Sequence, residues 1–224
     1  MSDTAKAEEM LFTRAGLDRN KVQTLVDGAL DGCDDGELFM EYKQSEALAW
    51  DDGRLKSASF DTSQGFGLRA VSDESTGYAH ASELSEAAIK RASDTVQSVR
   101  QGRSGTMADG PTGTNQSLYI DDNPLNDVPF EEKVKLLEEI DAYARGRDDR
   151  VRQVSASLAG SWQVVEILRS DGMRAGDVRP LVRFNVSIVM GEGDRQETGS
   201  FGTGGRTLYA DYLKPESWKA AIDE

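Results

Sequence analysis

The sequence predicts an α+β protein made of two helix-plus-antiparallel-sheet domains, and three observations carry that expectation. Two stretches with apolar residues at helical spacing, near 22–30 and 134–144, each precede a series of short segments that alternate apolar with polar. Turn-forming residues divide each series, Asp51-Asp52-Gly53 in the first and Ser170-Asp171-Gly172 in the second. Between the two blocks, Gln101 to Gln116 shifts to glycine, proline, serine and threonine, the composition of a linker. The expected division is an N-terminal domain over 1–104, a linker over 105–118, a middle domain over 119–213, and the start of a further helix over 214–224.

In chain order, Met10-Leu11-Phe12 is the apolar knot of a short leading helix. The next helix is capped by Asp18, with Leu17 and Val22 spaced as a hydrophobic staple. Val22, Leu25, Val26, Ala29 and Leu30 form its apolar stripe, and Gly32 ends it. Strands are expected at Leu38–Tyr42, Ala47–Trp50, Arg54–Phe60, Gly67–Val71 and Gly77–His80, an antiparallel meander. Ser82 or Ser85 then caps a helix whose stripe is Leu84, Ala88, Ile89, Ala92, Val96 and Val99. In the second block Pro129 starts a helix through Arg145 on the stripe Val134, Leu137, Ile140 and Ala144, with Glu131 and Glu132 suited to its dipole. Strands follow at Val151–Leu158, Gln163–Arg169 and Met173–Arg174.

The stretch from Asp177 to Arg206 carries the most chemistry. Val182, Phe184, Val186, Ile188 and Met190 point one way while Leu181, Arg183, Asn185, Ser187 and Val189 point the other, the period of a half-buried strand. Pro180 lacks an N–H, so it belongs at the strand's first residue or on an edge. After a turn at Gly191-Glu192-Gly193-Asp194, the run Gly199 to Arg206 reads as a glycine-rich loop that leaves backbone groups open to a ligand or another chain. Gly202, Gly204, Gly205 and Arg206 are therefore the candidate substrate-binding residues, with the Arg206 guanidinium fork available for a carbonyl or carboxylate.

Several function classes are excluded or disfavoured by composition. A net charge of −14 repels nucleic-acid backbones and anionic membranes, and no apolar run reaches membrane-spanning length. Cys33 is the one cysteine, so there is no disulfide framework, and Met1-Ser2-Asp3-Thr4 lacks the order of a signal peptide; a cytoplasmic location is expected. With His80 as the one histidine, the chain cannot build a two-histidine zinc site, and no residue is assigned a catalytic or metal-ligating role. His80 lies in a strand-like segment and reads as a surface or packing residue. Gly65-Phe66-Gly67-Leu68-Arg69-Ala70 matches a GxGxxA pattern, but a β-like run follows it where a dinucleotide site needs a helix N-terminus, so these glycines are expected at a bend between strands. Pro215 opens a last helix with no Gly or Asn stop by Glu224, which predicts a piece of a longer protein.

Five stretches in order resemble the TldD branch of the TldD/PmbA family of bacterial metallopeptidases: Asp61 to Val71, Thr76 to Ala79, Val154 to Leu158, Asp177 to Arg183, and Gly202 to Arg206. The Arg179-Pro180-Leu181-Val182-Arg183 strand together with the Gly204-Gly205-Arg206 run is the specific part, and the resemblance covers nearly the whole chain. It implies a zinc-dependent protease of the cytoplasm that works with a TldE (PmbA) subunit on small unfolded proteins and peptides, including antibiotic precursors and antitoxins. The zinc ligands that the family draws from a HExxxH motif and a later cysteine are absent from this sequence, so none is carried over, and Cys33 lies too early to be one of them. The resemblance thus implies the non-catalytic N-terminal and middle domains, with a metal-free TldE-like subunit or a non-enzymatic protein-binding module as the alternatives.

Overall fold

Asp18 begins the helical part of the fold as expected: its carboxylate accepts from the backbone N–H groups of Asn20 and Lys21, and α2 runs Arg19–Leu30 until Gly32 takes φ +74°. The computed structural model describes residues 3–100, 105–113 and 118–224. Before α2 lie a short helix α1, Asp3–Ala7, and a π-helical turn, Glu8–Thr13, that buries Met10, Leu11 and Phe12. The strands are β1 Asp35–Asp51, β2 Arg54–Ser72, β3 Ser75–Ala81, β4 Val151–Leu168, β5 Arg174–Glu192 and β6 Arg195–Gly205. They form one six-stranded sheet in the order β3-β2-β1-β4-β5-β6. Helices α3 (Glu86–Val96), α4 (Phe130–Arg147) and α5 (Pro215–Asp223) complete the α+β architecture.

Two compact units divide these elements. Unit 1 comprises Met1–Lys43, Thr62–Leu118 and Gln163–Val178; unit 2 comprises Gln44–Asp61, Tyr119–Trp162 and Arg179–Glu224. The units interleave along the chain, whereas the division expected from composition runs in consecutive blocks. Part of the linker-like stretch, 101–104 and 114–117, and the Val99 side chain lie outside what the structure describes. The described part is docked on unit 1: Gly105 N–H donates to Gly32 O and Ala108 N–H to Asp34 O, both at 2.7 Å, and Arg169 donates to Ala108 O.

In unit 1, Ser85 rather than Ser82 caps α3, accepting from Ala88 N–H at 3.1 Å. Helix α3 lies on α2, where Ser93 Oγ donates to Leu25 O and Gln97 Nε2 to Gly28 O. The expected β2–β3 hairpin is present, with Gly67 opposite His80 and Ala70 opposite Gly77. The GxGxxA glycines therefore sit inside β2, and a Cβ on Gly65 would fall 2.6 Å from Ala81 O.

Unit 2 has the core that positions the site. Leu137, Ile140 and Ala144 of α4 cluster with Leu48 and Trp50 of β1, Val154, Ala156 and Leu158 of β4, and Val182, Phe184 and Val186 of β5. A fully buried Leu or Ile here is worth about 1.5–3 kcal/mol relative to an exposed one. Asp52 and Gly53, with φ 49° and 83°, form the expected two-residue hairpin between β1 and β2.

Two expectations about the Asp177–Arg206 stretch are corrected. Strand β5 starts at Arg174, so Pro180 is neither its first residue nor on an outer strand. It is tolerated there because β6 pairs with β5 only from Val182 onward, leaving no β6 ladder partner opposite Pro180. The run ending in Gly205 is strand, not loop: Gly193, at φ +60°, opens a tight turn, and pairing continues from Glu192↔Arg195 to Val182↔Gly205.

Candidate functional site

The alternation in β5 that buries Val182, Phe184 and Val186 sends Arg183, Asn185 and Ser187 to the opposite face of the sheet. What stands beside them is fixed by register. Arg183 faces Gly204, Asn185 faces Gly202 and Ser187 faces Ser200, so β6 adds no side chain next to the first two. Neighbouring β4 presents Gln153, Ser155 and Ser157, and beyond it lies Asp51 of β1 with Lys56 of β2. Together they line an open cleft of about 580 Å³ in unit 2.

A chain of hydrogen bonds orders this face. The Asp51 carboxylate accepts from Gln153 Nε2 at 2.8 Å, from Ser155 Oγ at 2.8 Å and from Lys56 Nζ at 3.0 Å. Gln153, then Lys56 and Ser155, hold its pKa well below the usual carboxylate range. Asp51 is thus a poor base and cannot activate Ser155 as a nucleophile. Asn185 accepts from Arg183 Nε at 3.1 Å and donates to Ser157 Oγ at 3.4 Å. The other guanidinium N–H groups of Arg183 have no acid partner among the described residues, and the side chain is exposed. The arrangement is equipped to bind through donors, acceptors and the guanidinium of Arg183.

The residues singled out from sequence fall in two places. Gly202 belongs to the cleft, where an added Cβ would lie 2.8 Å from Asn185 Oδ1. Gly204 is needed for close packing, since a Cβ there would run into the Val182 carbonyl, whereas a Cβ on Gly205 would meet only the Tyr212 hydroxyl, at 2.5 Å. Arg206 stacks over the Tyr119 ring at 4.9 Å and donates to Pro180 O at 3.4 Å. Sequence reasoning did not single out Arg183, Asn185 and Gln153 as site residues. The alternation placed the first two on the polar face, but the glycine opposite each becomes visible only with the β5–β6 register.

The donors present do not fit a zinc centre. Among the described residues no group of three or more His, Cys, Asp or Glu side chains is placed to hold a metal. His80 stacks on Tyr78 at 5.6 Å on exposed β3, and Cys33 is buried behind α2, its thiol directed at Ala29 O. No step of a metal-dependent reaction is therefore assigned to these residues.

Family models of the PmbA/TldA metallopeptidase match twice, domain 1 on residues 36–98 and the central domain on residues 123–222. The chain belongs to the PmbA/TldD metallopeptidase family. Relatives in the family include the Metalloprotease TldD homolog of Haemophilus influenzae, 37% identical over 177 residues, which are 77% of this chain and 36% of that protein. The Metalloprotease TldD homolog of Buchnera aphidicola subsp. Schizaphis graminum is 31% identical over 207 residues, 92% of this chain and 43% of its own length. The chain thus spans less than half the length of these curated relatives. Among solved structures, a candidate modulator of DNA gyrase from Bacteroides thetaiotaomicron matches with a TM-score of 0.72 at 16% identity, over 92% of this chain and 48% of that one. TldE from Thermococcus kodakarensis matches with a TM-score of 0.61 at 16% identity, over 91% and 46%. At that identity the PmbA/TldD likeness to the solved structures is one of fold.

Proposed function

We infer that this chain forms the first two, non-catalytic domains of a TldD-type zinc metalloprotease that acts in the cytoplasm with a TldE/PmbA-like subunit on peptides and small unfolded proteins. The observation that carries the reading is the order of matches: domain 1, then the central domain, with relatives named as TldD-type metalloproteases across the same residues. In this reading residues 1–104 and 119–213 are the two domains, joined by 105–118, and 214–224 lead toward the metal-binding part.

Substrate backbone would be held along the outer edge of β6, because main-chain hydrogen bonds serve every peptide regardless of side chain. Gly202, Gly204 and Gly205 keep side chains away from that approach, and Arg206 stands at its end. The test is peptide cleavage by the full-length protein with its partner, with and without a chelator. Metal-dependent cleavage is expected, and Arg206→Ala is expected to slow it at unchanged zinc content. Cleavage that ignores the chelator, or none at all with the partner present, would sink the reading. A metal-free TldE-like subunit is the second reading, favoured by the fold shared with TldE of Thermococcus kodakarensis; zinc analysis of the purified full-length protein separates the two.

A further inference from the structure

We propose that the open face of unit 2 receives an extended, carboxylate-bearing peptide, with Arg183 as the group that takes the carboxylate. The peptide class rests on the function inferred above; the charge preference rests on the cleft itself. Charged residues lining the cleft are Lys56, Arg183 and Asp51, two cations and one anion, in a chain whose net charge is −14. Lys56 is already paired with Asp51 at 3.0 Å, and Asp51 is saturated by Gln153 and Ser155. The unspent charge is therefore that of Arg183, whose Nε is held by Asn185 Oδ1 while the rest of its guanidinium has no acid partner among the described residues.

The spacing suits an extended chain. Gln153, Ser155 and Ser157 on β4 and Arg183, Asn185 and Ser187 on β5 repeat every second residue, roughly 6.6–6.8 Å, the interval at which an extended peptide repeats its own same-side groups. Gly202 and Gly204, opposite Asn185 and Arg183, add no side chains of their own, and the Asn185 amide and Arg183 guanidinium lie over Gly202. A long polyanion does not meet these terms: it would experience the acidity of the whole surface, whereas a peptide with one carboxylate can place that group within a Debye length, about 8 Å, of the local cation.

The experiment titrates the intact full-length protein, with its partner subunit present, into two labelled ten-residue peptides, one with a single central Glu and one with Gln in its place, read by fluorescence anisotropy at low and high salt, with peptide integrity checked by mass spectrometry. The Glu peptide is expected to bind about tenfold tighter at low salt, the size of a charge-assisted hydrogen bond, and to lose most of that advantage at high salt. Arg183→Glu should invert the preference, so that the Gln peptide binds tighter than the Glu peptide at low salt. Should that reversal disturb β5, Arg183→Gln removes the preference without reversing it. Equal binding of both peptides by the wild type, or a preference that survives in either variant, overturns the proposal. Cleavage of both peptides without a binding preference would keep the metalloprotease reading and overturn this one; a preference without cleavage does the reverse.

Discussion

At Lys133 an ammonium only 1% exposed donates to Glu46 Oε1 at 2.7 Å and to Leu125 O at 3.0 Å, with the Tyr209 ring 4.6 Å away. Glu46 is itself 10% exposed, so removing the lysine leaves a nearly buried carboxylate without a counter-charge. Lys133→Ala is expected to cost about 3–5 kcal/mol in urea unfolding, while Lys133→Met combined with Glu46→Leu recovers most of it. If the single and double variants are equally unstable, the pair is not the reason. Asp51 makes a different prediction, one of sign. Its folded pKa lies below the unfolded value of about 3.9, so its contribution is fully present above that pH and fades as pH falls through the folded value. Asp51→Asn should lower Tm at pH 7, and the gap to wild type should close as pH drops below about 4; a gap constant from pH 7 to pH 2 would contradict it. Neither residue stands out in sequence. Lys133 sits beside Glu131 and Glu132 in a charged first turn, and its burial becomes visible only once Glu46 and Tyr209 are brought to it from distant segments.

Strand β4 runs unbroken through Gly160, although a glycine inside a strand usually weakens it. The reason is a close approach: a Cβ there would lie 2.3 Å from Tyr209 Oη and 2.8 Å from Leu125 Cδ2. Gly160→Ala is expected to cost about 1–3 kcal/mol by overpacking, and Tyr209→Phe, which removes the clashing oxygen, should relieve part of that cost in the double variant. Purely additive losses in thermal unfolding would rule out the clash. This element shows where sequence is legible. Caps and turns were readable because their cause is local: Asp18, Ser85, Asp52-Gly53 and the turn before Arg174 each act within four residues. Strand lengths were not. Around Lys43–Glu46 in β1 and Asp61–Gly65 in β2 the burial alternation lapses into half-exposed or exposed positions, so the polar residues there resemble loops while the ladder continues. The cleft was half legible for the same reason, since alternation fixes a face but pairing register depends on a turn and a partner strand.

For the whole molecule the first expectation concerns metal. Calorimetric titration of zinc into this 224-residue chain should give no stoichiometric binding, because one histidine and one cysteine leave the ion short of protein ligands; a tight one-to-one isotherm would refute that. The last consequence comes from β6, the outermost strand beside β5. Its first half carries Arg195 and Glu197, but from Thr198 to Gly205 it has no charge and no proline, and most of that stretch is exposed. Proteins commonly blunt such borders with lysine, proline or a covering segment. Here a bare ladder is left that a second copy could copy strand for strand, so concentrated preparations of this chain should self-associate through it. A Thr203→Lys change should keep them monodisperse in light scattering, and any segment that covers β6 would guard the chain against aggregation.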